Sequence, residues 1–245
     1  MIPKIIHYCW FGGGPLPEKD RRCIESWKKM CPDYTIMQWD ETNYDISKNR
    51  YMKEAYDAKK WGFVPDFARL DIVYEHGGVY LDTDVELIRN LDDLLHNKAV
   101  MGFEDGKMVN PGSCVAAEKN HPALKQLMEM YNHLTFLQED GSYNLTPSPV
   151  MNTDFLLKYG LKQDNTKQIV ADITIYPTEY FCPKDFFTGK LTITNSTYSI
   201  HWFNASWQAP KQKFLLKVRR IVGPNIFFKL VAVRNFLFKR PKEKT

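Results

Sequence analysis

The sequence predicts an α/β fold with a mostly parallel central sheet flanked by helices. Short apolar runs typical of buried strands alternate with segments whose apolar residues recur at helical spacing. Such alternation is typical of strand–helix–strand units whose strands lie parallel in one sheet. The hydrophobic content of 44% is ordinary for a globular chain, and 245 residues suffice for one large domain with an appendage.

The first half of the chain carries the clearest alternation. Apolar runs bounded by glycine, proline or acidic residues predict strands, and apolar residues three or four positions apart predict helices. In order, we predict a strand over 3–10, a helix over 18–30, a strand over 34–39 and a helix over 46–60.

The second half continues the pattern less regularly. In order, we predict a strand over 99–103, a loop and strand over 109–117, a helix over 121–136, a polar loop over 138–151 and a helix beginning at 152–154 and running through Leu157, with Thr153 or Asp154 as its cap. Residues 169–200 alternate strand-like and turn signals.

The stretch 63–87 between these halves carries the strongest chemical signal. It predicts a helix over 66–76, in which Asp66 and Arg69 share a face because they lie one turn apart. Gly77 and Gly78 then end the helix, since glycine adopts the left-handed conformation at little cost.

The residues after these glycines predict a strand that carries Asp82 and Asp84. Side chains alternate along a strand, so both carboxylates are expected on the face that also presents Tyr80. Two like charges on one face repel each other, and a divalent cation such as Mn²⁺ or Mg²⁺ removes that penalty. Such a metal commonly clamps a diphosphate. A D-x-D pattern alone is more often an exposed acidic turn, and the preceding helix and glycines make the metal site the better interpretation.

These residues resemble a known family. Pro65-Asp66-Phe67-Ala68-Arg69 followed by Tyr74-Glu75-His76-Gly77-Gly78-Val79-Tyr80-Leu81-Asp82-Thr83-Asp84 is similar to the DXD region of glycosyltransferase family 32, and more distantly to the glucosyltransferase domains of large clostridial toxins. The family usually has serine where this chain has Pro65. The resemblance implies a GT-A-like nucleotide-sugar-binding fold.

The resemblance also implies roles for residues. It assigns Asp66, Arg69, Asp82 and Asp84 to catalysis and places the last two on the metal. At the N-terminus, Trp10-Phe11-Gly12 resembles the segment whose tryptophan stacks on the nucleotide base. Asn110 matches an asparagine that contacts the donor sugar, although an ordinary turn asparagine fits as well. Tyr80 joins this donor-binding set.

A second motif lies near the end of the first 210 residues. His201-Trp202-Phe203-Asn204-Ala205-Ser206-Trp207 is similar to the family's terminal H-H-W-x-x-S-W, with Ile200 in place of the first histidine. The resemblance implies that His201 is a third metal ligand and that Ser206 and Trp207 donate hydrogen bonds to the donor diphosphate. Pro149 matches a further family segment near the acceptor, where Ser148 replaces glycine, and 169–200 is expected to be the variable, acceptor-facing part.

The function that follows is transfer of a sugar from a nucleotide-diphosphate sugar, with a UDP-sugar favoured, to a hydroxyl of a glycan or lipid-linked glycan. The family implies retention of anomeric configuration and a role in capsular or other cell-surface polysaccharide synthesis. Two alternatives remain at this point: a non-catalytic sugar- or polyanion-binding protein, and a metal-dependent phosphohydrolase. The acidic body and the lack of base-reading motifs argue against a nucleic-acid partner.

Charge divides the chain into a 1–210 catalytic domain and a 211–245 tail. The tail carries eleven Lys or Arg and one Glu among apolar residues, whereas the rest is acidic overall. Basic amphipathic segments bind anionic membrane surfaces, although a helical pair packed on the domain or a nucleic-acid arm would have a similar composition. The five scattered cysteines indicate a reducing compartment, and we expect neither a signal peptide nor a membrane span. We therefore expect a cytoplasmic protein, peripheral at the inner face of the plasma membrane.

Overall fold

The protein is represented by a computed structural model, which describes residues 1–204. The strands are β1 (Ile5–Cys9), β2 (Thr35–Trp39), β3 (Gly78–Tyr80), β4 (Val85–Leu87), β5 (Ala99–Gly102), β6 (Val115–Ala117), β7 (Gln168–Val170), β8 (Ile173–Tyr176) and β9 (Ser199–His201). The helices are α1 (Glu18–Met30), α2 (Arg50–Asp57), α3 (Pro65–His76), α4 (Pro122–Tyr131), α5 (Ser148–Lys158) and α6 (Thr178–Phe181).

Seven strands form the central sheet in the order β2-β1-β3-β6-β5-β8-β7. The pairings β2–β1, β1–β3 and β5–β8 are parallel, whereas β6 and β7 pair antiparallel with their neighbours. Five strands therefore run one way and two run the other. The predicted α/β fold with a mostly parallel central sheet flanked by helices is confirmed.

Helices cover the sheet and bury two apolar clusters. One cluster joins α2, α3, α4 and α5 to the sheet, and the other includes Ile24 and Trp27 of α1. The Trp27 indole N–H donates to the Val85 carbonyl at 2.7 Å, and the Ser26 hydroxyl accepts from the Leu87 N–H at 2.9 Å. These two contacts hold β4 against α1. Within residues 1–204, no helix combines the length and apolar character needed to cross a bilayer.

The turn between α3 and β3 depends on His7. Gly77 and Gly78 both have positive φ, at 68° and 101°, which glycine adopts readily. A Cβ on Gly78 would approach the Ile5 carbonyl oxygen to 2.8 Å, so close packing on β1 also requires glycine. His7 Nε2 lies 2.8 Å from the Gly77 carbonyl oxygen, and the Trp39 indole N–H donates to His7 Nδ1 at 3.1 Å. Burial lowers the pKa of His7 to about 4 despite the Gly77 carbonyl, so the ring is neutral.

Several predicted elements have different bounds. The 46–60 helix is interrupted at Asn49, whose side chain accepts from the Met52 N–H and caps α2. The 121–136 helix ends at Tyr131. The predicted 138–151 loop ends sooner because α5 begins at Ser148, so Thr153 and Asp154 lie inside the helix and do not cap it. The 169–200 segment, expected to be the variable, acceptor-facing part, also contributes β8, which lies buried within the central sheet.

Candidate active site

Asp82 and Asp84 lie in a turn rather than in a strand. β3 ends at Tyr80 and β4 begins at Val85, and the Val85 N–H donates to the Asp82 carbonyl at 3.0 Å. The prediction of one strand through both aspartates was therefore wrong. The two carboxylates nevertheless lie close together, because the turn places both of them beside the His201 imidazole. One ligand atom from each of the three lies within 4.8 Å of the others.

His201 reaches this turn through a second, small sheet. β4 and β9 pair antiparallel with Val85 opposite His201. His201 Nε2 lies 3.2 Å from Asp84 Oδ1. Burial disfavours the imidazolium, but the Asp84 carboxylate holds the pKa of His201 well above its usual range. The same imidazole helps to keep the pKa of Asp84 low against the effect of burial. The protonated, positively charged form of His201 is thus favoured beside the Asp84 carboxylate.

Arg69 joins the first half of the stretch to the turn. Its guanidinium lies 3.2 Å from Asp66 and 3.3 Å from Asp82. Arg69 is 4% exposed on its side chain, whereas Asp82 is 28% exposed, so the aspartate remains open to a ligand. The Tyr80 hydroxyl donates to Asp82 at 3.0 Å, and the guanidinium lies over the Tyr80 ring. Tyr80 is buried and acts on the site by orienting Asp82.

Gly112 provides the space in which these groups meet. Its carbonyl accepts from the Asp82 N–H at 2.9 Å. A Cβ at this position would lie 2.1 Å from an Asp82 carboxylate oxygen and 2.9 Å from an Arg69 nitrogen. Gly112 falls in the predicted loop and strand over 109–117, and nothing local in the sequence indicates which chain segment will approach it.

Asn110 is held inside the protein. It is 6% exposed, its amide N–H donates to Glu104 Oε2 at 2.5 Å, and its side-chain oxygen accepts from the Gly112 N–H at 2.7 Å. Both ends of the amide are thus engaged by neighbouring residues. The structure therefore gives Asn110 a supporting position beside the site, with Glu104 as the side chain that it holds.

The N-terminus of α5 contacts Arg69 at the edge of the site. The Ser148 hydroxyl lies 3.4 Å from an Arg69 nitrogen and also hydrogen bonds to Asp66. Burial raises the pKa of Asp66 to about 6, while Arg69 and Ser148 act to lower it. The Thr153 hydroxyl accepts from the Val109 N–H at 2.9 Å, which ties α5 to the loop carrying Asn110.

Asp20 is a site neighbour that sequence reasoning missed. It lies near the start of α1, is 5% exposed, and accepts from the Asn204 amide at 2.8 Å and from the Thr83 hydroxyl at 3.3 Å. The Asn204 backbone N–H donates to Asp84 at 2.7 Å. The chain beyond β9 is thereby attached to the metal-ligand turn. No local signal marked Asp20, since it looks like an ordinary acidic residue in the first turn of a helix.

The predicted base-stacking segment follows β1. Trp10 is half-buried, and its indole N–H donates to the Gly14 carbonyl at 2.6 Å. Phe11 is buried against Tyr44 and belongs to the core. Gly12 has a φ of 94°, and a Cβ there would contact the Trp61 ring at 2.7 Å. Trp10 is therefore partly exposed, with the rest of its side chain packed against the second apolar cluster. Ser206 and Trp207 lie outside the described residues, as does the 211–245 tail.

Two open cavities lie elsewhere on the protein. One of about 390 Å³ lies between β2 and α3, and one of about 610 Å³ lies between α4 and α5. Asp66, Arg69, Asp82, Asp84 and His201 line neither of them. We therefore assign the candidate site by its donor atoms and charges.

The donor set fits a divalent cation. Two carboxylates and one imidazole converge, and burial together with the neighbouring Asp84 raises the pKa of Asp82. The two carboxylates repel each other, and Arg69 offsets part of this repulsion at Asp82 while His201 does so at Asp84. A bound cation would offset it further, and carboxylate oxygens with one imidazole suit Mn²⁺ or Mg²⁺. The residues present thus fit the metal that the motif implies.

Comparison with known proteins agrees with this assignment. Residues 17–101 match the model of the glycosyltransferase sugar-binding region containing the DXD motif. An uncharacterized glycosyltransferase of Acanthamoeba polyphaga mimivirus is 28% identical over 87% of this chain and 86% of that protein. Inositol phosphoceramide mannosyltransferase 3 of Schizosaccharomyces pombe is 30% identical over 55% of this chain, but the match covers 38% of that protein.

Solved structures with a similar shape include the PaToxG glycosyltransferase, with a TM-score of 0.49 and 19% identity over 64% of this chain and 69% of that chain. A glycosyltransferase involved in glycosylation of the PBCV-1 major capsid has a TM-score of 0.46 and 10% identity over 88% of this chain and 100% of that chain. Both scores lie below 0.5. Residues 17–101, which contain Asp66, Arg69, Asp82 and Asp84, are thus similar to the DXD-containing sugar-binding region of glycosyltransferases, and the relatives named as glycosyltransferases agree with this.

Proposed function

We propose that this glycosyltransferase transfers a sugar from a nucleotide-diphosphate sugar to a hydroxyl of a glycan or lipid-linked glycan. The convergence of Asp82, Asp84 and His201 carries the proposal, because a diphosphate leaving group needs a concentrated positive charge beside it. Mn²⁺ or Mg²⁺ held by these three side chains would neutralise charge on the departing diphosphate. The resemblance to capsule enzymes supports a role in cell-surface polysaccharide synthesis.

The chain's own residues have separate tasks in this proposal. Trp10 offers an aromatic face to the base at the end of β1. Arg69 and Asp66 are paired at 3.2 Å. Arg69 would donate hydrogen bonds to hydroxyls of the donor sugar and Asp66 would accept them, and together they would fix its orientation. The Tyr80 hydroxyl keeps the Asp82 carboxylate in place through its hydrogen bond. Retention of configuration follows if the acceptor hydroxyl attacks from the face that the diphosphate leaves.

The donor is proposed at the level of a class. A UDP-sugar is favoured by the family resemblance. The similarity to a protein named as a mannosyltransferase adds GDP-mannose to the candidates. A lipid-linked acceptor would agree with the proposed binding of the 211–245 tail to an anionic membrane, and hence with a place at the inner face of the plasma membrane.

A donor screen tests the proposal. The protein is incubated with Mn²⁺ and, in turn, UDP-glucose, UDP-galactose, UDP-N-acetylglucosamine and GDP-mannose, and release of the nucleoside diphosphate is measured. We expect one donor to be consumed in preference, with faster release when glycan acceptors are added. Formation of the nucleoside monophosphate and sugar 1-phosphate, the products of cleaving the diphosphate, would favour a phosphohydrolase instead. Binding without any release would favour a non-catalytic sugar-binding protein.

A further inference from the structure

Glu104 is a carboxylate beside the candidate site to which neither the motif nor the comparisons assign a role. It follows β5, and Asp82 follows β3. Both strands pair antiparallel with β6, which lies between them, so they run in the same direction and end at the same edge of the sheet. Neighbouring strands lie about 4.8 Å apart, which separates β3 from β5 by roughly 10 Å.

A chain of hydrogen bonds links Glu104 to the metal-ligand turn. The Asp82 N–H donates to the Gly112 carbonyl at 2.9 Å, and the Gly112 N–H donates to the Asn110 side-chain oxygen at 2.7 Å. The Asn110 amide N–H then donates to Glu104 Oε2 at 2.5 Å. The position of the Glu104 carboxylate is therefore set by the same loop that shapes the space around Asp82.

The loop that carries Glu104 is itself firmly held. Residues 103 and 109 form an antiparallel bridge, and the Glu104 N–H donates to the Met108 carbonyl at 2.7 Å. The Asn110 N–H donates to the Gly102 carbonyl at 3.0 Å. Such a short hairpin keeps the carboxylate near one position, as recognition of a rigid ligand requires.

One oxygen of Glu104 remains available for a ligand. Among residues 1–204, the Asn110 contact to Oε2 is the hydrogen bond that the structure gives to this carboxylate. Burial raises the pKa of Glu104, and Asp82 adds to the rise while His201 and Asn110 oppose it, so the group lies within the field of the candidate site. A partly buried carboxylate beside an active site, with one oxygen that no hydrogen bond among residues 1–204 engages, is typical of a functional residue.

We propose that Glu104 binds a hydroxyl of the transferring sugar and that Asn110 positions it for that contact. This inference rests on the proposed function. If the diphosphate binds beside Asp82 and Asp84, the sugar attached to it lies next to the turn. Glu104 follows β5, two strands from β3 along the same sheet edge, and can therefore reach that sugar. Glu104 then discriminates between donors that differ in the configuration of one hydroxyl, because an unmatched hydroxyl leaves the available Glu104 oxygen without a hydrogen-bond partner.

The test compares nucleotide sugars with their nucleoside diphosphates. Calorimetry in Mn²⁺ measures the affinities of UDP, UDP-glucose, UDP-galactose, GDP and GDP-mannose for wild type, Glu104→Ala and Glu104→Gln. We expect Glu104→Ala to retain affinity for UDP and GDP within about twofold. The ratio of nucleotide-sugar to nucleoside-diphosphate affinity should fall at least about tenfold for the preferred donor, and discrimination between UDP-glucose and UDP-galactose should narrow. The affinity ratio of Glu104→Gln should lie between those of wild type and Glu104→Ala.

Asn110→Ala and Asp105→Asn complete the design. Asn110→Ala should lower the same ratio, and its effect should be largely absent when Glu104 is already alanine, since the two residues act through one contact. Asp105→Asn is the matched control, because this exposed neighbour caps the hairpin through its side-chain oxygen and asparagine can do the same. Melting temperatures establish that each variant folds.

The outcomes separate the two levels of the proposal. An unchanged affinity ratio in folded Glu104→Ala and Glu104→Gln would overturn this inference and leave the proposed function standing. A fall in UDP and UDP-glucose affinity by the same factor would also overturn it, because the residue would then be structural. Wild-type protein that binds none of the five compounds would overturn the proposed function and this inference together.

Discussion

Gly112 lies where side chains from three segments converge. Asp82, Arg69 and Asn110 all come within contact of its backbone or of the space where a Cβ would be. Such a position has no side chain to offer a ligand, yet it determines where the carboxylate and the guanidinium can lie. At the scale of single residues, the candidate site therefore depends on the lack of a side chain at Gly112 as well as on its charged groups.

A methyl group at Gly112 should disturb the site more than the fold. A Cβ would lie 2.1 Å from Asp82 Oδ2, so Gly112→Ala should displace this carboxylate and lower nucleotide release at least about tenfold. Gly160→Ala is the control, because its Cβ meets open space while its φ of 90° makes alanine strained. We expect Gly160→Ala to lower the melting temperature and leave the specific activity near wild type. Equal activity in both variants would contradict the account of Gly112.

Trp10 should contribute to nucleotide affinity directly. If its half-buried ring stacks on the base, Trp10→Ala should weaken binding of the nucleoside diphosphate by roughly 1–3 kcal/mol, as base–aromatic stacking does elsewhere. Calorimetry with UDP and GDP in Mn²⁺ measures this loss. Unchanged affinity in a folded variant would assign Trp10 to structure alone.

At the scale of elements, the helices were predicted better than the chain segments that carry the chemistry. The 18–30 helix matches α1, and the 66–76 helix matches α3 within one residue. Helical periodicity is local, so a sequence displays it without reference to the rest of the fold. The Asp82–Asp84 turn was mistaken for a strand because its backbone is set by Gly112 and by pairing of β4 with β9, more than 100 residues away.

His7 illustrates how an element can make stability depend on pH. Its folded pKa of about 4 lies below its ordinary value of 6.5, so its neutral form is favoured in the folded state. The stability linked to this group is complete above pH 6.5 and is lost as pH falls from 6.5 towards 4, because the unfolded chain binds the proton first.

His7→Gln isolates that contribution. The variant should be less stable than wild type at pH 7.5, and the difference should shrink by about 2 kcal/mol at pH 5.0, since 1.36 kcal/mol corresponds to each pKa unit. Urea unfolding of both proteins at the two pH values measures the change. A difference that stays constant, or grows towards pH 5.0, would show that His7 is not buried in its neutral form.

At the scale of the whole molecule, the site is assembled from both halves of the chain. The sheet edge brings together residues that follow β1, β3 and β5, and β9 adds His201 from near residue 200. The family resemblance named most of these residues in advance. Asp20, Glu104 and Gly112 could not be singled out, because their importance depends on contacts between segments distant in sequence.

The basic tail leads to a prediction for the full chain. Eleven Lys or Arg against one Glu in 211–245 should draw the protein to anionic vesicles but not to neutral ones, at about 1 kcal/mol per basic residue near the surface. Sedimentation with vesicles that contain or lack phosphatidylserine measures this for wild type and for a variant with Lys213, Lys217, Arg219 and Arg220 changed to glutamate. We expect salt to weaken the wild-type binding. Equal absence of binding by both proteins would remove the membrane proposal.

The central claim is that Asp82, Asp84 and His201 form the metal site of sugar transfer. The most direct measurement is nucleotide release by chelator-treated protein as Mn²⁺ is added back, for wild type, Asp84→Asn and the exposed control Asp57→Asn. We expect Mn²⁺ to restore the activity of wild type and the control, and Asp84→Asn to stay at least about 100-fold slower while remaining folded. Full activity in excess chelator, or Asp84→Asn turning over at the wild-type rate, would contradict this claim.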